Sequence, residues 1–279
     1  METELSSRRR AILVLGMHRS GTSAVTRTIN LLGVATPKTL IGASAGNQRG
    51  HWESAPIVRL NDDILAACGH SWYSRGRMKV DPIEIVRANG MWDRLRATLD
   101  SEFGGASTVV LKDPRISRLV PLYTKALEEA GYEVASILTL RNPLEVAQSI
   151  ATRDKLTAAQ GLKAWLRYML DAERATRGSV RTLVAYENLL ADWRGCTQRM
   201  KAQLGGDWPA LTPEAAAEID AFLSPGLRHH ALQLPAFGLG RAAVCGRLYR
   251  DMAARLSDDP AATPSALATG LAKLSLAAR

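Results

Sequence analysis

Residues 11–23, with the sequence AILVLGMHRSGTS, are the part of the chain that most directly predicts its fold. Residues 11–15 are all apolar, as expected for a strand that is buried on both faces. Residues 16–23 contain two glycines, one arginine and three hydroxyl side chains, and they lead into an amphipathic helical pattern. Glycines let a backbone close around an anion, and the N–H groups at a helix start point towards it. The stretch therefore predicts a strand–loop–helix unit that binds a phosphate-like group.

Three further apolar runs predict strands, and each precedes a helical pattern. They cover residues 108–111, 134–140 and 180–186. Strands that alternate with helices are typical of βαβ units and a parallel sheet. The sequence therefore predicts an α/β fold, with a P-loop-type parallel β-sheet flanked by helices in three layers. The helices that follow the four strands are predicted over residues 22–32, 116–130, from Pro143 onward behind an Asn142 cap, and over 188–204.

The composition predicts one globular domain over residues 1–279. Hydrophobic residues make up 46% and charged residues 23%, which excludes a disordered, collagenous or disulfide-scaffold chain. Residues 35–105, between the first two strands, form a long insertion, and such insertions are often binding elements. We expect residues 257–279 to form a loosely ordered tail. Further helices are predicted near residues 54–68 and 83–103, as a pair over 157–176, and as short helices after residue 209.

The charge and the cysteines suggest the kind of partner and the compartment. A net charge of +9 suits anionic partners, although a solvated, arginine-rich surface explains it at least as well. Aromatic residues are only 5%, which argues against a stacking platform for single-stranded nucleic acid. Cys68, Cys196 and Cys245 are far apart and lack CxxC spacing, so we expect free thiols. No apolar run has the length of a membrane span. These features predict a cytoplasmic protein.

Polar residues follow every predicted strand at its carboxyl end. Residues 16–23 follow the first strand, residues 112–115 (KDPR) the second, Arg141 the third and Glu187 the fourth. In an open parallel sheet, ligands bind outside the carboxyl ends of the strands. A single strand end of this kind would not indicate a ligand site, because residues that cap helices have the same composition. The coincidence of several cations and two carboxylates at one edge predicts an anion site.

Two motifs resemble a known family. Residues 16–23 resemble the 5′-phosphosulfate loop of sulfotransferases that use 3′-phosphoadenosine 5′-phosphosulfate (PAPS). Their spacing also fits the phosphate loop of nucleoside triphosphatases, but Thr22 occupies the lysine position and Arg19 supplies the cation. The second family motif is an arginine at a strand end with a serine eight residues on, which Arg141 and Ser149 match. With weaker matches at residues 111–115 and 184–189, the resemblance covers about residues 11–190 and is to the bacterial-type group.

The resemblance implies a role for each matching residue. Arg141 and Ser149 are expected to bind the 3′-phosphate of PAPS, and Arg19 and Lys112 to neutralise charge around the transferred sulfuryl group. The alternative is that Arg141 pairs with a surface carboxylate, Ser149 is an exposed serine and Lys112 a solvated lysine. The residues expected to bind the 5′-phosphosulfate are His18, Arg19, Ser20, Gly21, Thr22 and Ser23.

The general base is predicted to be Glu53, in the segment that follows the helix of the phosphate loop. A carboxylate in a partly dry cleft can act near neutral pH. The alternative is that Glu53 caps the helix that begins near residues 54–56. His51 is the second choice for the base, because its ordinary pKa suits the role, and Asp113 is the third.

Together these features predict PAPS-dependent sulfation of an acceptor hydroxyl, first of all one on a carbohydrate or glycolipid, in a cleft built by residues 35–105. The resemblance implies PAPS and its product PAP as ligands, with no metal, no nucleic acid and no transmembrane segment. The second hypothesis is a P-loop phosphotransferase for a small metabolite, with Asp113 as the carboxylate for Mg²⁺. The third is a non-catalytic module that binds a nucleotide or nucleic acid.

Overall fold

The computed structural model describes residues 9–44, 49–223 and 240–254. In this part of the chain, four strands form one sheet in the order β2-β1-β3-β4. All three strand pairings are parallel, so the predicted α/β fold with a parallel sheet is confirmed. The strands are β1 (Arg9–Leu15), β2 (Thr108–Lys112), β3 (Tyr132–Leu140) and β4 (Arg181–Ala185).

Helices cover both faces of the sheet. Side chains alternate along β1, where Leu13 and Leu15 pack into one buried apolar cluster and Ile12 and Val14 into another. This alternation confirms the three predicted layers. The helices are α1 (Thr22–Leu31), α2 (Ala55–Ala67), α3 (Pro82–Ala88), α4 (Met91–Phe103), α5 (Val120–Glu129), α6 (Pro143–Asp154), α7 (Ala158–Ala175), α8 (Tyr186–Ala191), α9 (Trp193–Leu204), α10 (Pro213–Phe222) and α11 (Arg241–Ala254). The cluster of Leu13 includes side chains from α2 to α7 and α11, and that of Ile12 from α1, α8, α9 and α10.

The sequence placed most helices correctly but divided some of them wrongly. The predicted helix over residues 83–103 is two helices, α3 and α4, because Gly90 adopts a left-handed backbone with φ +66° and begins the second. The predicted helix over 188–204 is also two helices, and the Asp192 side chain caps the second by accepting from the Gly195 N–H. The predicted pair over 157–176 is the single helix α7, which begins at a capping box of Thr157 and Gln160.

The register of the sheet brings the carboxyl ends of its strands together. Val14 of β1 lies beside Lys112 of β2, and Leu15 lies beside Leu138 of β3. Leu140 of β3 lies beside Ala185 of β4. The polar residues that follow the strands therefore start from one edge of the sheet.

The insertion over residues 35–105 contains α2, α3 and α4 and is joined to the sheet, because Ala35 bridges to Val109 in parallel with β2. No helix among the described residues combines the length and apolarity needed to cross a membrane. The predicted tail over residues 257–279 lies outside the described residues. The single domain over residues 1–279 stays a prediction.

Candidate active site

Residues 16–23, here called the phosphate loop, connect β1 to α1 in a tight turn. Three of them have a positive φ, namely Gly16 at +149°, Arg19 at +69° and Gly21 at +88°. Gly21 is the N-cap of α1, and no side chain caps its first-turn N–H groups. The uncapped N–H groups and the positive end of the helix dipole suit an anion. A side chain at residue 21 would collide with the ring of Tyr186, so only glycine fits there.

Two side chains of the phosphate loop have buried polar atoms with no hydrogen-bond partner among the described residues. They are Ser20 Oγ and His18 Nε2. Buried polar groups in native proteins are nearly always paired, and each unpaired group costs about 1–3 kcal/mol. The unpaired atoms in this loop fit a ligand that supplies polar partners, such as a phosphate or sulfate group.

His18 is held as a neutral imidazole in this loop. Burial lowers its pKa well below the usual range, and the nearby cations of Arg115, Arg153 and Lys112 lower it further. The ring packs edge-on against Trp72, with centroids 5.0 Å apart. His18 therefore shapes one wall of the loop without adding charge.

The structure brings Arg19, Arg141 and Ser149 together. Arg19 Nε donates to Ser149 Oγ at 2.8 Å, and an Arg141 guanidinium nitrogen donates to the carbonyl oxygen of Arg19 at 3.0 Å. Arg141 Nε also donates to Glu145 at 3.1 Å, and this carboxylate is fully buried rather than on the surface. Ser149 is only 8% exposed, so it is not an exposed serine.

The electrostatics around Arg19 favour an anion. Burial lowers the pKa of Arg19, and the positive charges of Arg153 and Arg141 lower it further. Repulsion among these three cations is relieved when a negative group binds between them. This part of the site is therefore suited to a polyanionic ligand.

Lys112 and Glu53 form a buried ion pair next to the phosphate loop. Lys112 Nζ lies 2.5 Å from Glu53 Oε1, 2.8 Å from the His51 carbonyl oxygen and 3.1 Å from Ser23 Oγ. Lys112 is 2% exposed and is not a solvated lysine. The residue that caps α2 is Ser54, whose side chain accepts from the Ile57 N–H, so the capping alternative for Glu53 is wrong.

An unusual turn before α2 delivers these groups to Lys112. Gly50 and Trp52 have φ values of +88° and +57°. The indole N–H of Trp52 donates to the Arg49 carbonyl oxygen at 3.0 Å, and its ring lies under the Arg27 guanidinium. The turn directs the His51 carbonyl oxygen and the Glu53 carboxylate to the same ammonium group.

His51, the second choice for the base, lies at the outer side of this turn. Its Nε2 is 2.8 Å from the Ser44 hydroxyl. Burial lowers its pKa, and the Lys112 charge adds to this while the Glu53 charge opposes it. The imidazole is therefore neutral near pH 7 and could accept a proton.

Asp113, the third choice, is occupied by the protein itself. Its carboxylate accepts from Asn61 at 2.8 Å and from the backbone N–H and guanidinium of Arg115 at 3.1 and 3.0 Å. It is fully buried and caps the short 3₁₀ helix Pro114–Arg118. The geometry thus gives Asp113 a structural role and leaves Glu53 and His51 beside Lys112.

Sequence reasoning missed two residues of the site. Tyr186 lies against Gly21, and the Arg141 guanidinium lies 5.0 Å from the centre of its ring. The signal for Tyr186 is an aromatic residue at the end of the predicted strand over residues 180–186. Arg153, near the end of α6, is exposed and lies over Trp72 at 5.7 Å, and no sequence pattern marks it.

Among residues 9–44, 49–223 and 240–254, no three His, Cys, Asp or Glu side chains cluster as metal ligands. Whether the protein uses a metal stays a prediction.

Comparison with known proteins gave no match to a family model and none to a curated protein. Several solved structures are similar to this chain, and three of them are sulfotransferases or sulfotransferase domains. The sulfotransferase domain of the Synechococcus PCC 7002 olefin synthase is 16% identical, with 91% of this chain and 96% of that one covered and a TM-score of 0.45. Sulfotransferase STF1 of Mycobacterium tuberculosis H37Rv is 18% identical, with 88% and 76% covered and a TM-score of 0.43. The sulfotransferase domain of the curacin biosynthetic pathway is 14% identical, with 90% and 98% covered and a TM-score of 0.46.

Proposed function

We propose that this protein is a sulfotransferase that moves a sulfuryl group from PAPS to an acceptor hydroxyl. The observation that carries the proposal is the convergence of Arg19, Arg141 and Ser149 beside the uncapped start of α1. A donor with a phosphosulfate at one end and a 3′-phosphate nearby needs two adjacent anion sites. The phosphate loop supplies one, and the Arg141–Ser149 pair supplies the other.

In the proposed complex, the phosphate loop binds the 5′-phosphosulfate. The first-turn N–H groups of α1 and the hydroxyl of Ser20 donate to its oxygens, which gives the buried hydroxyl the partner it lacks within the described residues. Arg141 binds the 3′-phosphate through its guanidinium, with Ser149 as a second donor. An arginine–phosphate contact is charge-assisted and often bidentate, so Arg141 contributes more than the serine does.

The proposed reaction is an in-line transfer in which Glu53 acts as the base. The acceptor oxygen forms a new S–O bond, the S–O bond to the 5′-phosphate breaks, and the acceptor proton passes to the Glu53 carboxylate. The products are a sulfate ester and PAP. Lys112 holds the Glu53 carboxylate in place at 2.5 Å, next to the phosphate loop where the acceptor hydroxyl would have to lie.

Lys112 and Arg19 are proposed to stabilise the charge that develops during the transfer. Lys112 Nζ already lies between Ser23 of the phosphate loop and Glu53, at 3.1 and 2.5 Å. From this position, it can stabilise negative charge on the sulfuryl group and the leaving phosphate. Preorganised charges of this kind contribute about 10²–10³-fold to turnover.

We propose a carbohydrate or glycolipid hydroxyl as the acceptor. The insertion over residues 35–105 contributes both Glu53 and Trp72 to the site, and Trp72 lies beside the phosphate loop at His18. Ligand sites typically combine aromatic walls with a few placed polar groups. The cytoplasm is the proposed location, which the three buried, free cysteines support.

Thermal stabilisation by ligands tests the donor. PAP should raise the melting temperature, whereas Mg·ATP and a single-stranded oligonucleotide should not. Stabilisation by Mg·ATP alone would favour a phosphotransferase, and stabilisation by the oligonucleotide alone a nucleic-acid-binding module. Transfer from radiolabelled PAPS to a panel of carbohydrate, glycolipid, phenolic and peptide hydroxyls then tests the acceptor.

A variant of Arg141 tests the 3′-phosphate site. Arg141→Ala should weaken PAP binding far more than binding of adenosine 5′-phosphosulfate, which lacks the 3′-phosphate. The matched control is Arg177→Ala, because Arg177 also pairs with a buried glutamate one turn away, Glu173, but in another part of the fold. Equal weakening of both ligands by Arg141→Ala would show that Arg141 only braces the phosphate loop.

A further inference from the structure

A short segment beside the candidate active site presents apolar and basic side chains to solvent. It covers residues 73–80 between α2 and α3 and is here called the 73–80 surface. Tyr73 is 49% exposed and Val80 is 41% exposed, and they are two of only four large hydrophobic residues exposed in the described part of the chain. Arg77 and Lys79 are also exposed. Two exposed apolar side chains and two exposed cations thus lie within eight residues of one short segment.

The backbone of this segment is held firmly from inside. The buried Tyr168 hydroxyl donates to the Trp72 carbonyl oxygen at 2.6 Å. The Arg118 guanidinium donates to the carbonyl oxygens of Ser74 and Gly76, both at 2.9 Å. The buried Arg118 therefore holds these two carbonyl groups, and with them the backbone of the segment, in one conformation. The exposure of Tyr73 and Val80 is therefore a feature of the folded chain.

Two neighbouring residues make the apolar contacts with the core. Trp72, just before the segment, and Met78, within it, pack against the larger apolar cluster, whereas Tyr73 and Val80 are exposed to solvent. Packing inside the protein gives no reason for an exposed tyrosine and valine here.

The cations of the segment are not neutralised within the described residues. None of the ion pairs found there includes Arg75, Arg77 or Lys79. The next acidic residue along the chain, Asp81, accepts from the Ile83 N–H at 2.8 Å and caps α3. The segment therefore presents a local positive charge next to its apolar side chains.

We infer that the 73–80 surface docks the protein onto an anionic lipid membrane. Arg77 and Lys79 would lie at the negatively charged headgroups, and Tyr73 and Val80 would enter the boundary between headgroups and acyl chains. This combination is how peripheral proteins bind such membranes, since apolar burial and attraction to anionic lipid act together. A soluble anionic partner would need the cations but not the exposed apolar side chains.

The position of this surface explains what docking would achieve. Trp72 connects it to the phosphate loop, because its ring lies 5.6 Å from that of Tyr73 and 5.0 Å from that of His18. A membrane at this surface would place a lipid headgroup near the entrance to the site. This consequence rests on the proposed function and favours a glycolipid among the proposed acceptors, whereas the docking itself does not depend on it.

Vesicle binding without any donor tests the inference. The full chain should sediment with vesicles of phosphatidylcholine mixed with phosphatidylglycerol, and should not sediment with phosphatidylcholine alone. Arg77→Ala/Lys79→Ala should weaken binding about 30-fold, since each cation near an anionic surface contributes roughly fivefold. Tyr73→Ser/Val80→Ser should weaken it about tenfold through lost apolar burial. The matched control is Arg96→Ala/Val180→Ser, which alters an exposed cation on α4 and an exposed valine before β4.

The outcomes separate the inference from its alternatives. Binding that the control weakens as much as the two test variants do would reflect the net charge alone and overturn the inference. Vesicle binding that depends on Arg77 and Lys79 but not on Tyr73 and Val80 would show that headgroup charge alone holds the protein, without entry of the apolar side chains, and would also overturn the inference. PAP stabilisation, measured separately for every variant, confirms folding and tests the proposed function, so either idea can fail while the other stands.

Discussion

Replacing Lys112 with methionine should destabilise the protein strongly, and the reason lies in its surroundings. Its ammonium group has three acceptors within 3.1 Å, and the side chains of Lys112 and Glu53 are only 2% and 9% exposed. Lys112→Met keeps most of the side-chain volume but leaves the Glu53 carboxylate buried without its cation. Breaking a buried pair from one side costs about 3–5 kcal/mol. Solvent screening reduces this free-energy cost only slightly, because both groups are buried.

The expected loss can be expressed as a melting temperature. Each kcal/mol lowers the melting temperature of a large domain by about 2–4 °C, so Lys112→Met should melt about 6–20 °C below the wild type. Glu53→Gln should cost less, about 1–3 kcal/mol, since Lys112 keeps the His51 carbonyl oxygen and the Ser23 hydroxyl as acceptors. The double variant should cost less than the sum of the two, by about 0.5–3 kcal/mol.

Urea unfolding of the four proteins, followed by circular dichroism, measures these differences. The control is Lys125→Met on α5, where the ammonium group is exposed and lies 3.6 Å from the carboxylate of Glu129. This variant should change the free energy of unfolding by no more than about 0.5 kcal/mol. If Lys112→Met were as stable as the control variant, or if the two single effects simply added, the buried pair would not exist in solution. Turnover should fall about 10²–10³-fold in Lys112→Met under conditions where it is folded.

Three further predictions concern the phosphate loop. Gly21→Ala should abolish stabilisation by PAP in a thermal shift assay, because residue 21 has a φ of +88° and a Cβ would collide with Tyr186; normal stabilisation would mean that the loop adopts another conformation. Ser149→Ala should weaken PAP binding about tenfold in calorimetric titration, since the 3′-phosphate loses its second donor and Arg19 loses its hydrogen-bond acceptor; unchanged affinity would remove Ser149 from the site. The free energy of unfolding should decrease as the pH falls below about 6.5. Burial, and to a smaller extent the nearby cations, lower the pKa of His18 in the folded state, so the unfolded chain binds a proton at a pH where the folded protein does not. Urea unfolding at several pH values should show a smaller decrease for His18→Asn, and an equal decrease in both proteins would contradict this.

The sequence predicted the fold because its signals were local. Each apolar run became a strand with ends displaced by at most two residues, and Asn142 and Pro143 began α6 as their residue types indicate. The helix boundary at Gly90 was also marked in the sequence, since glycine inside a helical pattern often ends it. The apolar periodicity on both sides of that glycine nevertheless predicts one continuous helix.

The site was only partly predictable, and the missing part depends on tertiary contacts. The eight-residue spacing of Arg141 and Ser149 was visible, but the contact of Arg19 with Ser149 joins two different βα connections. The pairing of Lys112 with Glu53 depends on the left-handed backbone of Trp52. Residues other than glycine, asparagine and aspartate seldom adopt this backbone conformation. No pattern in the sequence predicts such a turn, so its effect on the site is seen only in the folded chain.

Several unfavourable local features of the described fold lie in or beside the phosphate loop. Arg19 and Trp52 have left-handed backbones, and Ser20 and His18 have buried polar atoms without partners among the described residues. Such features cost free energy and persist only where the surrounding structure imposes them, which is typical of functional sites. A bound anion would accept from the Ser20 hydroxyl and reduce the repulsion among the neighbouring cations. An anion that binds at this loop should therefore raise the free energy of unfolding of the protein.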